Sequence, residues 1–305
     1  MPKIIFDDWF IEESVFRYAV YLEQRQSSAS VRDFCTERET LYNTNSGKER
    51  ENAFRSFYQK WFASFGLKDI FYNVFSEFPL LNKPEVALRI KSVYSRKDES
   101  SELFRGEKFL TVLVTLQCER ITQPEYLKAF LRHELMHASD MIDEKFCYDA
   151  AIGIHSVNDT EENLIRERFR ILWAMYVDAR IQLRGFTPLW PREKYSKDIG
   201  AAFRSWPKEE IGRMLRQLES EQAFKQIDLI RWSTDARLTK NLGEGGLVCP
   251  VCGLSSYSNS DTKSADGANV IKTIQKAYPA WRPEMGICPQ CFDLCASRTK
   301  VGIDV

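Results

Sequence analysis

Hydrophobic and polar positions repeat with a helical period along roughly the first 65 residues. Phe54, Phe57, Tyr58, Trp61 and Phe62 recur at three- and four-residue intervals and form one apolar stripe, read as core packing. The polar stretch Asn43-Thr44-Asn45-Ser46-Gly47 separates that helix from the segment before it. The period then shortens to two. From Val86 to Tyr94, Leu88 and Ile90 alternate with Ala87, Arg89 and Lys91, as in a strand with one buried face. A second strand is expected from Phe109 to Leu116, rich in the β-branched Thr111, Val112, Val114 and Thr115. A charged turn from Ser95 to Gly106 would join the two.

Helical period returns after Thr122-Gln123-Pro124-Glu125, which reads as a capping box with proline in the first turn. The run Tyr126, Leu127, Phe130, Leu131 and Leu135 carries this helix onward. A long helix is expected from Glu161 to Leu183, stopped by Gly185, and another from Ser205-Trp206-Pro207 to near Trp232. Gly243-Glu244-Gly245-Gly246 reads as a hinge, and Ser255 to Gly267 as a polar surface loop. No internal repeat is visible. The expected class is α+β, with a helical region at 1–83, a core at 84–186, a helical connector at 187–243 and a cysteine-rich tail at 244–305.

Composition narrows the function classes. The 305 residues are 44% hydrophobic and 28% charged, which is ordinary for a folded protein. Lys plus Arg and Asp plus Glu are both 43, so nothing global draws the chain to nucleic acid or an anionic membrane. Two carboxylates, Asp7 and Asp8, follow a very short apolar run, so no signal-peptide core is expected. No run approaches the roughly 18–20 apolar residues of a membrane span. A cytoplasmic location is the expectation, and a reducing compartment suits cysteines that occur as C-x-x-C pairs.

The chemistry gathers at His133-Glu134-Leu135-Met136-His137. Residues four apart share one helix face, so two of the three histidines point their imidazoles at one spot. Neutral imidazole is a good zinc ligand. Glu134 turns about 100° from His133 and can take a proton from water activated by the metal. The bland alternative is a pair of helix histidines with no ligand role.

This motif resembles the HExxH active-site helix of the zincin zinc metallopeptidases. The resemblance spans about residues 106–140 and implies a zincin-like core around the helix. It also implies a strand beside the cleft that holds extended substrate; Lys108 to Gln117 looks like that strand. A third zinc ligand is implied too. Asp143 stands at a metzincin ligand spacing, though Asp140 replaces the glycine expected there. His155 is placed as in SprT-like metalloproteases, without the glycine-rich context. Zincins that take a carboxylate from a second helix direct attention to Asp178, which shares an apolar face with Ile171, Ala174, Met175 and Ile181. Its alternative is a buried ion pair with Arg89 or Arg180. Glu161, Glu162 and Glu167 on the same helix are further candidates that read as solvated. Asp140 would either orient a ligand imidazole or form a solvated helix end.

Cys249-Pro250-Val251-Cys252-Gly253 and Cys288-Pro289-Gln290-Cys291 form two knuckles. Four thiolates in this pattern suit a structural zinc ion, as in a zinc ribbon, with Gly253 allowing the tight turn. Cys295 is a spare ligand; Cys35, Cys118 and Cys147 read as buried packing residues. An HExxH helix followed by a ribbon is similar in domain order to SprT-like proteases.

The expectation is therefore a zinc metalloendopeptidase with Glu134 as general base, a catalytic zinc on His133, His137 and Asp178, and a structural zinc on Cys249, Cys252, Cys288 and Cys291. Its substrate would be a protein or peptide. The rival reading is a ribbon module that binds nucleic acid or protein and carries a vestigial HExxH site. A zinc hydrolase acting on a non-peptide amide is the third.

Overall fold

The computed structural model describes residues 3–25, 28–43, 47–150, 159–203, 206–234, 247–253, 255–256, 260 and 267–301. Among them the fold is α+β, with eleven α-helices, a four-stranded mixed sheet and a short hairpin. The chain divides into two compact units, Met1–Glu144 with Arg184–Leu189, and Lys145–Leu183 with Trp190–Val305.

The first unit runs through β1 (Lys3–Phe6), α1 (Asp8–Gln24), α2 (Ser28–Tyr42), α3 (Lys48–Ser64), α4 (Leu67–Ser76), β2 (Val86–Ser92), β3 (Ser100–Arg105), β4 (Leu110–Leu116) and α5 (Pro124–Asp140). The sheet order is β1-β2-β4-β3. β1, β2 and β4 are parallel, whereas β3 runs antiparallel to β4 with Leu103 opposite Val112. The alternation expected in β2 is present: Val86, Leu88 and Ile90 are buried and Arg89 and Lys91 exposed. Val112, Val114 and Leu116 of β4 bury the same kind of face. Phe57, Tyr58, Trp61 and Phe62 of α3 are core residues as expected, with Phe54 half-buried. Rings pack edge-on in this core: Phe71 meets Phe6 at 5.2 Å and Phe10 at 5.8 Å between centroids. Such pairs each add about 0.5–1.5 kcal/mol beyond their burial.

Three expectations for this unit are corrected. The N-terminal region is not wholly helical, because β1 pairs with β2; four residues are too few to reveal a period. The stretch from Ser95 to Gly106 is more than a turn: it holds a short 3-10 turn, Arg96–Asp98, and the strand β3. An edge strand has one strand neighbour and tolerates charge, which hid it. The capping box does not form. Gln123 is the N-cap of α5 without a side-chain bond, and Thr122 Oγ1 donates to Glu119 O at 2.9 Å. Pro124 at the first helical position lacks an N–H that would need capping.

The second unit contains α6 (Asp159–Leu183), α7 (Arg192–Ala202), α8 (Lys208–Leu218), α9 (Gln226–Thr234), the hairpin β5 (Leu247–Val248) with β6 (Ser255–Ser256), α10 (Gly267–Ala277) and α11 (Pro289–Val301). The long helix matches its expected span, and Gly185 follows it at φ 82°. The single helix expected from Ser205 to Trp232 is two, α8 and α9. Between them Phe224 turns inward, where its N–H donates to the Tyr176 hydroxyl at 3.1 Å and its ring meets that of Tyr176 edge-on. The loop expected from Ser255 to Gly267 begins with β6, and the Gly243–Gly246 hinge lies outside the described residues. Of the cysteines read as packing residues, Cys118 is buried but Cys35 and Cys147 are exposed. No described helix is long and apolar enough to cross a membrane.

Candidate metal centres

α5 buries Leu127, Leu131 and Leu135 on one side, and that packing fixes the rotation of the helix. His133 is buried, while Glu134 and His137 are half-buried. The two imidazoles converge: His137 Nε2 lies 3.3 Å from His133 Nε2, with ring centroids 4.8 Å apart and planes at 73°. Two nitrogens at about 2.05 Å from one tetrahedral ion would be about 3.3–3.4 Å apart. The pair therefore already has the spacing of two ligands on one zinc-sized cation.

Polar clips hold α5 along its length. At its start, Arg120 grips Glu99 with two 2.8 Å bonds and lies 4.4 Å over the Tyr126 ring. The Glu99 carboxylate raises the Arg120 pKa further. In the middle, Arg132 holds Glu77 with two 2.8 Å bonds and stacks 4.0 Å over Phe186. From the edge strand β3, Ser101 Oγ donates to the carbonyl of Glu134 at 3.2 Å. Arg105 Nη2 donates to Met141 O at the helix end at 2.7 Å, where backbone carbonyls lack helical partners.

Asp143 lies half-buried just past α5, its N–H on Ser139 O. Asp140 is only 2% exposed, which removes the solvated-end alternative. Asp178 belongs to the second unit, on α6, and is 2% exposed. Its Oδ2 accepts from the Tyr195 hydroxyl at 2.7 Å and from Trp190 N–H at 3.0 Å. Glu162 pairs with Arg166 one turn on, and Glu167 is exposed, as their charged surroundings suggested. Glu161 lies on α6 with its side chain not described, and His155 lies outside the described residues.

At the tail, the structure brings Cys249, Cys252, Cys288 and Cys291 together, with all four sulfurs within 4.8 Å of one another. Gly253 adopts φ 73° and its N–H returns to Cys249 O at 2.8 Å, closing the first knuckle as its glycine suggested. The second knuckle begins α11: Cys288 Sγ accepts the N–H of Cys291 at 3.4 Å in the manner of an N-cap. Hydrogen bonds from the thiols of Cys252, Cys288 and Cys291 push the Cys249 thiol far below its ordinary value. Those with Cys249 push Cys252 and Cys291 upward. Four sulfurs so crowded compete for protons, and a cation relieves the competition. Val270, Ile274, Trp281 and Ile287 enclose the group; Cys295 is buried in the same core but is not one of the four. The cluster can hold a metal ion such as zinc.

No family model, curated protein or solved structure matches the chain. The chemistry is carried by these side chains alone.

Sequence reasoning missed the clips. Glu77, Ser101 and Arg105 sit far from the motif in sequence, and only the strand pairing of β3 brings Ser101 and Arg105 to the helix. The one local signal was Leu103-Phe104 inside a charged stretch, an apolar pair that a pure turn would not need.

Proposed function

We propose that the protein is a zinc-dependent metallopeptidase with its catalytic ion on His133 and His137 and a structural zinc ion on the four tail cysteines. The observation that carries this reading is the 3.3 Å approach of the two Nε2 atoms on one rigid helix. An ion held there would supply Lewis acidity and would lower the pKa of attacking water toward neutrality. Glu134, next to His133 and half-buried, would take a proton from the attacking water and return it to the leaving amine nitrogen. The mixed sheet, with an antiparallel edge strand tied to the histidine helix, supports a zincin-like core.

The substrate-holding role moves from the strand suggested by the resemblance. β4 has strand neighbours on both sides, so it has no edge to offer; among the described residues β3 has one strand neighbour and can add an extended peptide. Which carboxylate or histidine completes the ligand set is a question for metal analysis of single-site variants.

The test is Glu134→Gln. Loss of peptide hydrolysis with the zinc content retained is expected. Full activity in that variant overturns the assignment of the base.

A second reading draws on one observation: among the described residues, the four cysteines are the group with a full set of metal donors. A ribbon that binds nucleic acid or protein, with the histidines idle, would show salt-dependent binding and no peptide turnover.

A further inference from the structure

The four-stranded sheet of the first unit meets its helices on one face. Phe6 of β1, opposite Ile90, sends its ring to Phe10 of α1, Phe62 of α3 and Phe71 of α4, at 6.3, 5.0 and 5.2 Å between centroids. Ser101 of β3, opposite Val114, bonds the Glu134 carbonyl of α5 from that same side. Leu88, Ile90, Val112 and Val114 are wholly buried there. Side chains alternate along a strand, so the intervening positions point the other way.

On that second face Lys3, Arg89, Lys91 and Phe104 are exposed. The register sets Lys3, Ala87, Thr111 and Phe104 in one row across the sheet. Arg89 and Lys91 follow along β2, about 6.5 Å apart. Among the described residues these three cations form no ion pair. The acidic residue among the described strand positions of this face is Glu102, which lies on the edge strand, two strands from Arg89. Phe104 is 50% exposed and Phe109 65%. The Gly106 N–H donates to Phe109 O at 2.9 Å, which carries the β3–β4 ladder one step past β4 and keeps Phe109 on the face of Phe104.

Charge and aromatic surface are thus sorted across the face. The cations occupy β1 and β2, and the rings the β3–β4 end, about 10 Å from β2 at the usual interstrand spacing. A track of unpaired cations suits an anionic chain. Flat rings beside it accept bases by stacking, which every base offers. A duplex keeps its bases stacked on one another, and its major groove admits a helix or a two-stranded ribbon, not a broad sheet. An anionic bilayer would match the cations, but a sheet twists, and a single strand follows that twist where a planar surface touches only what protrudes.

We propose that this helix-free face of the sheet binds single-stranded nucleic acid, with Lys3, Arg89 and Lys91 against phosphates and Phe104 and Phe109 under bases. The local sorting of charge supplies what a net charge of zero does not. The inference rests neither on the hydrolase reading nor on a metal ion at the tail.

The experiment titrates the full chain into labelled oligo-dT of about twelve nucleotides, with oligo-U of the same length beside it, and follows anisotropy at several salt concentrations. Binding is expected, with log K falling against log salt at a slope near −2, about 0.7 for each of the cations. Arg89→Gln combined with Lys91→Gln should weaken binding about tenfold or more at low salt and flatten the slope by about 1.4. Arg89→Lys combined with Lys91→Arg keeps the charges and should bind as the wild type does. Phe104→Leu keeps apolar bulk but not the ring, and should weaken binding about fivefold or more with the slope unchanged. These side chains are exposed, and melting at the wild-type temperature shows that a loss is not unfolding. Cys288→Ser should leave binding intact. Failure to bind either oligonucleotide overturns the proposal, as does wild-type affinity in the doubly neutralised protein or in Phe104→Leu. Loss confined to Cys288→Ser moves the site to the tail and also overturns it. So does binding to vesicles of phosphatidylserine and phosphatidylcholine with none to the oligonucleotides.

Discussion

At the tail, four sulfurs from two knuckles face one another within 4.8 Å inside a core that includes Trp281 and Ile287. On α5, two imidazole nitrogens meet at 3.3 Å on a single helix face, beside a carboxylate one residue away. The first arrangement offers four donors from the chain, a full set for a metal ion such as zinc. The second supplies two donors from a rigid support. Closed sets suit structure and open ones suit chemistry. The contrast also appears in how each is held. The cysteines are positioned by tight turns and one another, whereas the histidines are positioned by clips from β3, α4 and the segment before α5.

The largest expected effect separates the two regions by activity. Glu134→Gln should cut peptide hydrolysis by about 100- to 10,000-fold while metal content stays unchanged, read with a quenched peptide library and elemental analysis. Cys288→Ser should do the reverse at first: one ion is lost per chain and the tail unfolds, seen as solvent exposure of Trp281 by fluorescence. Hydrolysis that survives in this variant would sharpen the division between a structural and a catalytic ion. Next in size is Asp178→Ala, which tests the third-ligand expectation taken from sequence. Zn2+ binding at the histidine site should weaken at least tenfold in whichever of Asp178→Ala and Asp143→Ala removes a ligand, and stay unchanged in the other.

The α5 clip is a smaller effect. Glu77→Gln removes the charge from a bidentate pair whose side chains are 14% and 23% exposed. The expected cost is about 1–2 kcal/mol in chemical denaturation, nearer the surface than the buried value. The smallest concerns Cys118. Burial pushes its thiol up to about 12 from an ordinary 9. The folded state then keeps a proton that the unfolded chain releases, so this contribution is intact below about pH 9 and is lost as pH rises toward 12. The denaturation midpoint should fall over that interval, and less so in Cys118→Val.

What sequence alone revealed follows from how locally each feature is encoded. His133 and His137 are one turn apart, so their meeting is a property of any helix there. Each cysteine pair is likewise local, and the two pairs needed only to find each other. The long α6 announced itself by length. By contrast, β1 and β3 are sheet edges of four and six residues, too short or too charged to show a buried face. The break between α8 and α9 depends on Phe224 finding the Tyr176 hydroxyl, a partner 48 positions away. The supports of Asp178 are of the same kind, since Tyr195 and Trp190 reach it from beyond the end of α6.

Among the described residues β3 pairs with one strand only, and that outer edge has a cost of its own. A strand with spare backbone donors and acceptors can zip onto a second molecule as readily as onto a peptide, and half-exposed Phe104 would favour such pairing. Glu102 and Arg105, both exposed on that strand, oppose it by leaving charge to be desolvated in any face-to-face assembly. Arg105 therefore serves two ends, bracing the histidine helix and setting a charge against strand pairing at this edge.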